Sequence, residues 1–257
     1  GEHWAWYYPI VREELVSSSR QLTVDRSLVN EEFNQDRSVG IGMEWMASDT
    51  VKINGMYHNG HNSDKNPWNT EDTEFAADVR AEFLLAGDWG QFKSMTSKQG
   101  SEYGLLIGVA THYEVEEYGT ASADEVTNMG FTADLSVHMD GANVFAAFVW
   151  ENYDDDNTLD ADRYGIVVQG GLYLNADWEL FARYEYGDYD SSAVEDLSVI
   201  TVGVNRYFSK QVKWTTDVGF GLEEVDGVWS SSGVGWRTDP ADEDGQMVLR
   251  SQLQLTF

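Results

Sequence analysis

The stretch Met129-Gly130-Phe131-Thr132-Ala133-Asp134-Leu135-Ser136-Val137-His138-Met139 decides the fold. Met129, Phe131, Ala133, Leu135, Val137 and Met139 share one face, and Gly130, Thr132, Asp134, Ser136 and His138 the other. A period of two gives coherent faces only in a strand. The same separation runs through 75–83, where Phe75, Ala77, Val79, Ala81 and Phe83 oppose Ala76, Asp78, Arg80 and Glu82. It returns over 212–222, with Val212, Trp214, Thr216, Val218, Phe220 and Leu222 against Lys213, Thr215, Asp217, Gly219 and Gly221.

Outward from these stretches, about twelve such runs are counted, near 1–8, 39–46, 51–58, 73–84, 102–114, 127–139, 142–153, 163–174, 178–187, 197–208, 211–222 and 245–257. Residues 47–50, 140–141, 175–177 and 209–210 read as tight hairpin turns. Residues 59–72, 115–126, 154–162, 188–196 and 223–244 read as longer acidic loops. Short turns on one side and long loops on the other mark an outer-membrane barrel. Residues 85–100 are a long link where a short one is expected. Phe145, Val149 and Val167 fall on the polar face, which places them at a subunit contact or beneath an inward loop.

A soluble sandwich or small barrel would turn its apolar face inward and its charges out. Here ionisable residues occupy the other face of nearly every strand, which a dry core would not tolerate and a wet lumen would. The expectation is therefore an all-β, antiparallel transmembrane barrel, a single domain over 1–257, in the outer membrane. Mean hydropathy is −0.44 and no apolar run approaches a spanning helix, so a helical membrane protein is excluded. Ten Trp and thirteen Tyr suit membrane interfaces. Cysteine is absent, which removes disulfides and thiolate chemistry. A net charge of −29 argues against a nucleic-acid partner. Any signal peptide is expected to be gone already.

The lumen face carries Lys52, Arg80, Arg183, Lys213 and Arg250 against Asp78, Glu82, Asp134, Asp217 and further carboxylates, so acid outnumbers base among the pore-lining candidates. Residues 9–38 form the longest loop, with Arg12, Arg20, Arg26 and Arg37, and could fold inward as a constriction that focuses anions. Glu13, Glu14, Asp25, Glu31, Glu32 and Asp36 are available to pair with them. Asp154, Asp156, Asp160 and Asp162 offer hard oxygen ligands for calcium, although the EF-hand spacing is not met. The plainer reading is a solvated acidic rim that exchanges divalent ions with lipopolysaccharide. No other cofactor is expected. The five His sit in no nucleophile motif, and Asp134 and His138 stand too far apart on one face to pair directly, so no enzyme is expected.

The chain ends on an amphipathic strand, 247–257, closing on Phe257, and this resembles the terminal signal of outer-membrane barrels. The stretches 178–186, 200–208, 213–217 and 250–254, with 8–15 and 24–27 earlier, resemble the phosphate-selective porin O and P family. That resemblance implies a sixteen-stranded homotrimer, of which this chain would lack the first strands, passing small solutes including anions such as phosphate. A complete twelve-stranded surface or structural barrel is the alternative. The charge count and the resemblance disagree: it favours cations at the mouth, with Arg80, Arg183 and Arg250 offering anions a foothold deeper in.

Overall fold

The computed structural model describes residues 5–7, 11–34, 37–60, 72–117, 125–155, 159–190, 194–225, 227–229, 232–236 and 245–255. Twelve strands form one sheet in chain order, each antiparallel to its predecessor. They are β1 (Ala5–Tyr7), β2 (Arg37–Ser48), β3 (Val51–His58), β4 (Asp72–Ala86), β5 (Gly104–Glu117) and β6 (Glu125–Met139). They continue as β7 (Ala142–Asp155), β8 (Leu159–Asn175), β9 (Trp178–Asp188), β10 (Leu197–Tyr207), β11 (Val212–Gly221) and β12 (Met247–Leu255). Each matches a run of alternation in the sequence. Among the described residues no pairing joins β12 to β1.

The alternation resolves into two unlike faces. Phe131, Leu135, Phe220, Leu249 and Leu253 point outward and stay exposed, whereas Asp78, Arg80, Asp134, Arg183, Asp217 and Arg250 on the other face are buried. No soluble fold leaves such an apolar belt bare. Lipid is the solvent that suits it.

The inner face wraps around the chain's own residues 11–34. This segment contains helix α1 (Arg12–Leu15), a 3-10 turn (Ser18–Arg20) and helix α2 (Leu28–Phe33). Arg12 reaches Glu82 on β4, and six residues later the Ser18 carbonyl accepts from Gln254 on β12. Laid flat, β4 and β12 would stand about 38 Å apart at ordinary strand spacing, so the sheet must curve strongly around the segment.

α2 starts where its amides find acceptors. Ser27 caps the helix, accepting from the Asn30 N–H at 2.9 Å, and Glu185 on β9 accepts the Leu28 N–H at 2.5 Å. Leu28, Val29 and Phe33 then bury against Phe145, Val149, Val167 and Phe181. The apolar residues that broke the alternation on β7 and β8 are thus the seat of this helix. Val225, Trp229, Val234 and Trp236 join the same cluster from the other end, with the Trp229 ring 6.2 Å from Phe33. Each such side chain contributes about 1.5–3 kcal/mol of burial.

The unexpectedly long link 87–103 has a physical reason too. Phe92 packs under Leu84 and Leu106, and the Met95 N–H donates to the Arg20 carbonyl at 3.0 Å. The link forms a floor beneath residues 11–34 at the short-turn rim.

Candidate functional site: the inner face and its cavities

The wall and residues 11–34 are joined by charge-assisted hydrogen bonds. Arg183 donates to Glu185 at 2.7 Å, to the Thr23 hydroxyl at 2.8 Å and to the Asp25 and Arg26 carbonyls at 2.9 and 3.2 Å. Asp217 accepts from Arg250 at 2.7 Å and from the Val24 N–H at 2.9 Å. Arg80 bridges Asp134 and Glu82, and Glu82 also takes Lys52 at 2.5 Å and Arg12 at 3.0 Å. Lys213 donates to the Gln21 carbonyl at 2.9 Å.

These observations correct one step of the sequence argument. Inward charges such as Glu82, Arg183, Glu185 and Asp217 do not face open water: they are buried and bonded to one another or to residues 11–34, while Asp78 and Glu179 are held by partners on neighbouring strands. Carboxylates and guanidinium groups are tolerated there because each charge has an opposite charge or a hydrogen-bond partner beside it.

The four arginines of 9–38 part company. Arg12 is buried on Glu82, and Arg26 lies 3.3 Å from Glu14. Arg20 is exposed at the short-turn rim, and Arg37 is exposed at the start of β2, outside the inward segment. They do not form one ring. Glu13 accepts the Ser27 hydroxyl and N–H at 2.5 and 3.1 Å, and burial raises its pKa. Burial and the neighbouring Glu14 raise Glu31 to about 7.

Of the acidic cluster proposed for calcium, Asp156 lies outside the described residues, as does the side chain of Asp160. The backbones of Asp154 and Asp160 pair across β7 and β8, and Asp162 accepts from Asn152 at 3.2 Å.

Two cavities flank residues 11–20. One, of about 430 Å³, opens at the short-turn rim and is lined by Arg20, Lys93, Lys98, Lys210 and Lys213 with Ser, Thr and Gln side chains. Among the described residues no carboxylate lines it, in a chain of net charge −29. The second, of about 460 Å³, lies against β2 and β3 and is lined by Arg12, Glu44, Lys52, Glu82 and Trp89. Lys93 borders both. Alternation did not reveal this basic chamber, because Lys93, Lys98 and Lys210 lie in the inner-rim connections.

A third feature was also missed. His58, Asp78 and His112, from three adjacent strands, converge near the long-loop end of the inner face, with Asp78 2.9 Å from His58 Nε2 and 2.6 Å from His112 Nδ1. Glu114 lies 3.2 Å from His112 Nε2. Their sequence separation hides them from any motif.

No family model matches the chain, and no curated protein sequence matches it. Solved structures do. OmpT, an outer-membrane protein of Vibrio cholerae, superposes with a TM-score of 0.62 at 13% identity in its outer-membrane expressed form, covering 98% of this chain and 75% of that one. In-vitro folded OmpT gives 0.56 at 13%, covering 84% of this chain, which spans only 64% of the OmpT length. The trimer form of that protein gives 0.52 at 12%, covering 97% and 72%. The anion-selective porin of Comamonas acidovorans gives 0.55 at 12%, covering 74% and 51%. These likenesses show the fold of outer-membrane β-barrels, and do not single out the porin O and P family.

The expectation that the chain is no enzyme is withdrawn. The likeness to OmpT, an outer-membrane protein, is one of fold alone, and a fold by itself does not decide activity. Motif spacing also leaves unseen the two histidines that the structure sets against the buried Asp78. Fold and apolar belt together make the chain a multi-pass outer-membrane β-barrel.

Proposed function

We propose that this barrel is a porin-like diffusion channel whose short-turn chamber favours small anions. The observation that carries the reading is the cavity lined by Arg20, Lys93, Lys98, Lys210 and Lys213 with no carboxylate among its described residues. Cations gathered in a narrow, low-dielectric space focus field lines and concentrate counter-ions. On this reading solutes pass beside residues 11–20, where the two cavities both border Lys93. The Comamonas neighbour's anion selectivity and the family resemblance support the same choice.

Planar-bilayer recording in asymmetric KCl tests it. We expect discrete conductance steps and an anion-selective reversal potential that weakens as the Debye length falls from about 10 Å at 0.1 M toward 3 Å at 1 M. Lys93→Glu, Lys98→Glu and Lys210→Glu together should move the reversal potential toward cations. Steps with cation preference, unchanged by these substitutions, would sink the anion assignment. Absence of steps would favour a second reading, a filled structural barrel, for which the dense packing around residues 11–34 speaks. We also propose a homotrimer, supported by the trimer form of the OmpT neighbour; cross-linking in mild detergent should give three-chain bands, and monomer alone would remove it.

A further inference from the structure

We propose that His58, Asp78 and His112 form a site for one divalent transition-metal ion, with Glu114 as the group that orients His112. The site is separate from the basic chamber and does not depend on conduction.

Register builds the cluster. Asp78 on β4 pairs directly with His112 on β5, and His58 on β3 is offset by two residues, because Asp78 faces Met56 and His58 faces Ala76. All three side chains project to the inner face and are buried there. The two imidazole rings lie nearly parallel, 5.9 Å between centroids and 16° between planes. One ligand atom from each residue lies within 4.8 Å of the others. Four-coordinate bonds of about 2.1 Å put ligand atoms about 3.4 Å apart, so a contraction of at most about 1.4 Å completes the geometry.

Donor chemistry selects the class of ion. Two imidazoles and one carboxylate suit zinc, nickel or copper, whereas calcium and magnesium prefer an all-oxygen shell. Glu114, 3.2 Å from His112 Nε2, takes the N–H on that side and leaves Nδ1 directed at Asp78, 2.6 Å away. This carboxylate–histidine arrangement is the usual outer support of a metal-bound imidazole. The ion would take the place of the proton now shared between Asp78 and His112. On His58, Nε2 faces Asp78, while Nδ1 accepts from the Gly60 N–H at 3.2 Å. Metal on Nε2 moves the ring proton to Nδ1, so the Gly60 amide must turn away. Gly60 has a positive φ of 96°, a conformation that glycine adopts freely. The two carboxylates supply the charge that balances a dication.

The test uses the full chain folded in detergent micelles and stripped with chelator. Zinc titration by calorimetry should give one ion per chain, bound more tightly than about 100 µM. Cobalt titration should give visible absorption from nitrogen and oxygen ligands. Glu114→Gln should weaken zinc by about 10–100-fold, and His58→Ala or His112→Ala by more. The pair Glu195→Gln and Glu223→Gln, exposed and away from the cluster, should leave affinity unchanged. Copper electron paramagnetic resonance on the unaltered chain with 15N-labelled histidine keeps the idea testable if a variant fails to fold, because two imidazole nitrogens should appear in the hyperfine pattern. Weaker binding, binding insensitive to both histidines, or an oxygen-only copper signal would overturn the site.

Discussion

Arg183 shows how much one side chain does inside this barrel. Its guanidinium holds Glu185 and three acceptors of residues 23–26, and it is almost completely buried. Removing one partner of such a buried set costs about 3–5 kcal/mol. Arg183→Met should therefore lower the urea midpoint and open the chain to trypsin at Arg26; resistance equal to the unaltered protein would show that the contacts carry little. On the opposite face, Leu135→Arg at mid-depth should cost about 2–4 kcal/mol in a bilayer, measurable by unfolding from liposomes. Glu31 gives a pH signature. Burial, then Glu14, raises its pKa to about 7 from 4.5, so the folded state holds a proton that the unfolded chain has already lost between those values. Stability is therefore full below about 4.5 and declines as pH rises through 7. After allowance for its partial exposure the effect is about 1–2 kcal/mol. Glu31→Gln should flatten that slope, raising the midpoint at pH 8 and not at pH 4. Alternation in the sequence assigned such residues to a face. It could not assign partners, since Arg12 and Glu82 stand 70 positions apart and Val24 and Asp217 stand 193 apart.

Strands were the legible elements because two-residue periodicity is a local property. Phe145, Val149 and Val167 were legible only as exceptions, and their cause, the docking of α2, is a tertiary event. Residues 11–34 have no amphipathic run long enough to announce two short helices, and the caps that define α2 come partly from β9. Close approach of elements explains several inward glycines. A Cβ at Gly187 would lie 2.4 Å from the Trp229 ring, and one at Gly165 would lie 2.5 Å from Val29. Gly187→Leu should therefore displace the Trp229 ring, at a cost of about 1–3 kcal/mol. Faster chymotrypsin cleavage near Trp229 and a lower midpoint would show it, and an unchanged cleavage pattern would refute it.

At the scale of the molecule, charge is arranged along the barrel axis. The basic chamber sits at the short-turn rim, while the long loops that carry the surplus of Asp and Glu leave from the opposite rim. Composition made the acidic rim plain and hid the chamber, because 16 basic residues scattered in sequence look diluted until connections 87–103 and 208–211 bring three of them beside Arg20 and Lys213.

The long span of the contacts that hold residues 11–34 has a consequence in time. Ser18 is bonded to Gln254, 236 positions on, and Val24 to Asp217. Nearly everything that seats the inner segment is contributed by strands that follow it in the chain, from β4 to β12. Neighbouring strands zip by local contacts, but closing loops of this size is slow. The filling should accordingly settle last, inside a sheet already formed. On refolding into micelles, β-sheet circular dichroism should mature before residues 11–34 become resistant to trypsin. Simultaneous appearance of the two signals would mean instead that the segment acts as the core on which the sheet assembles.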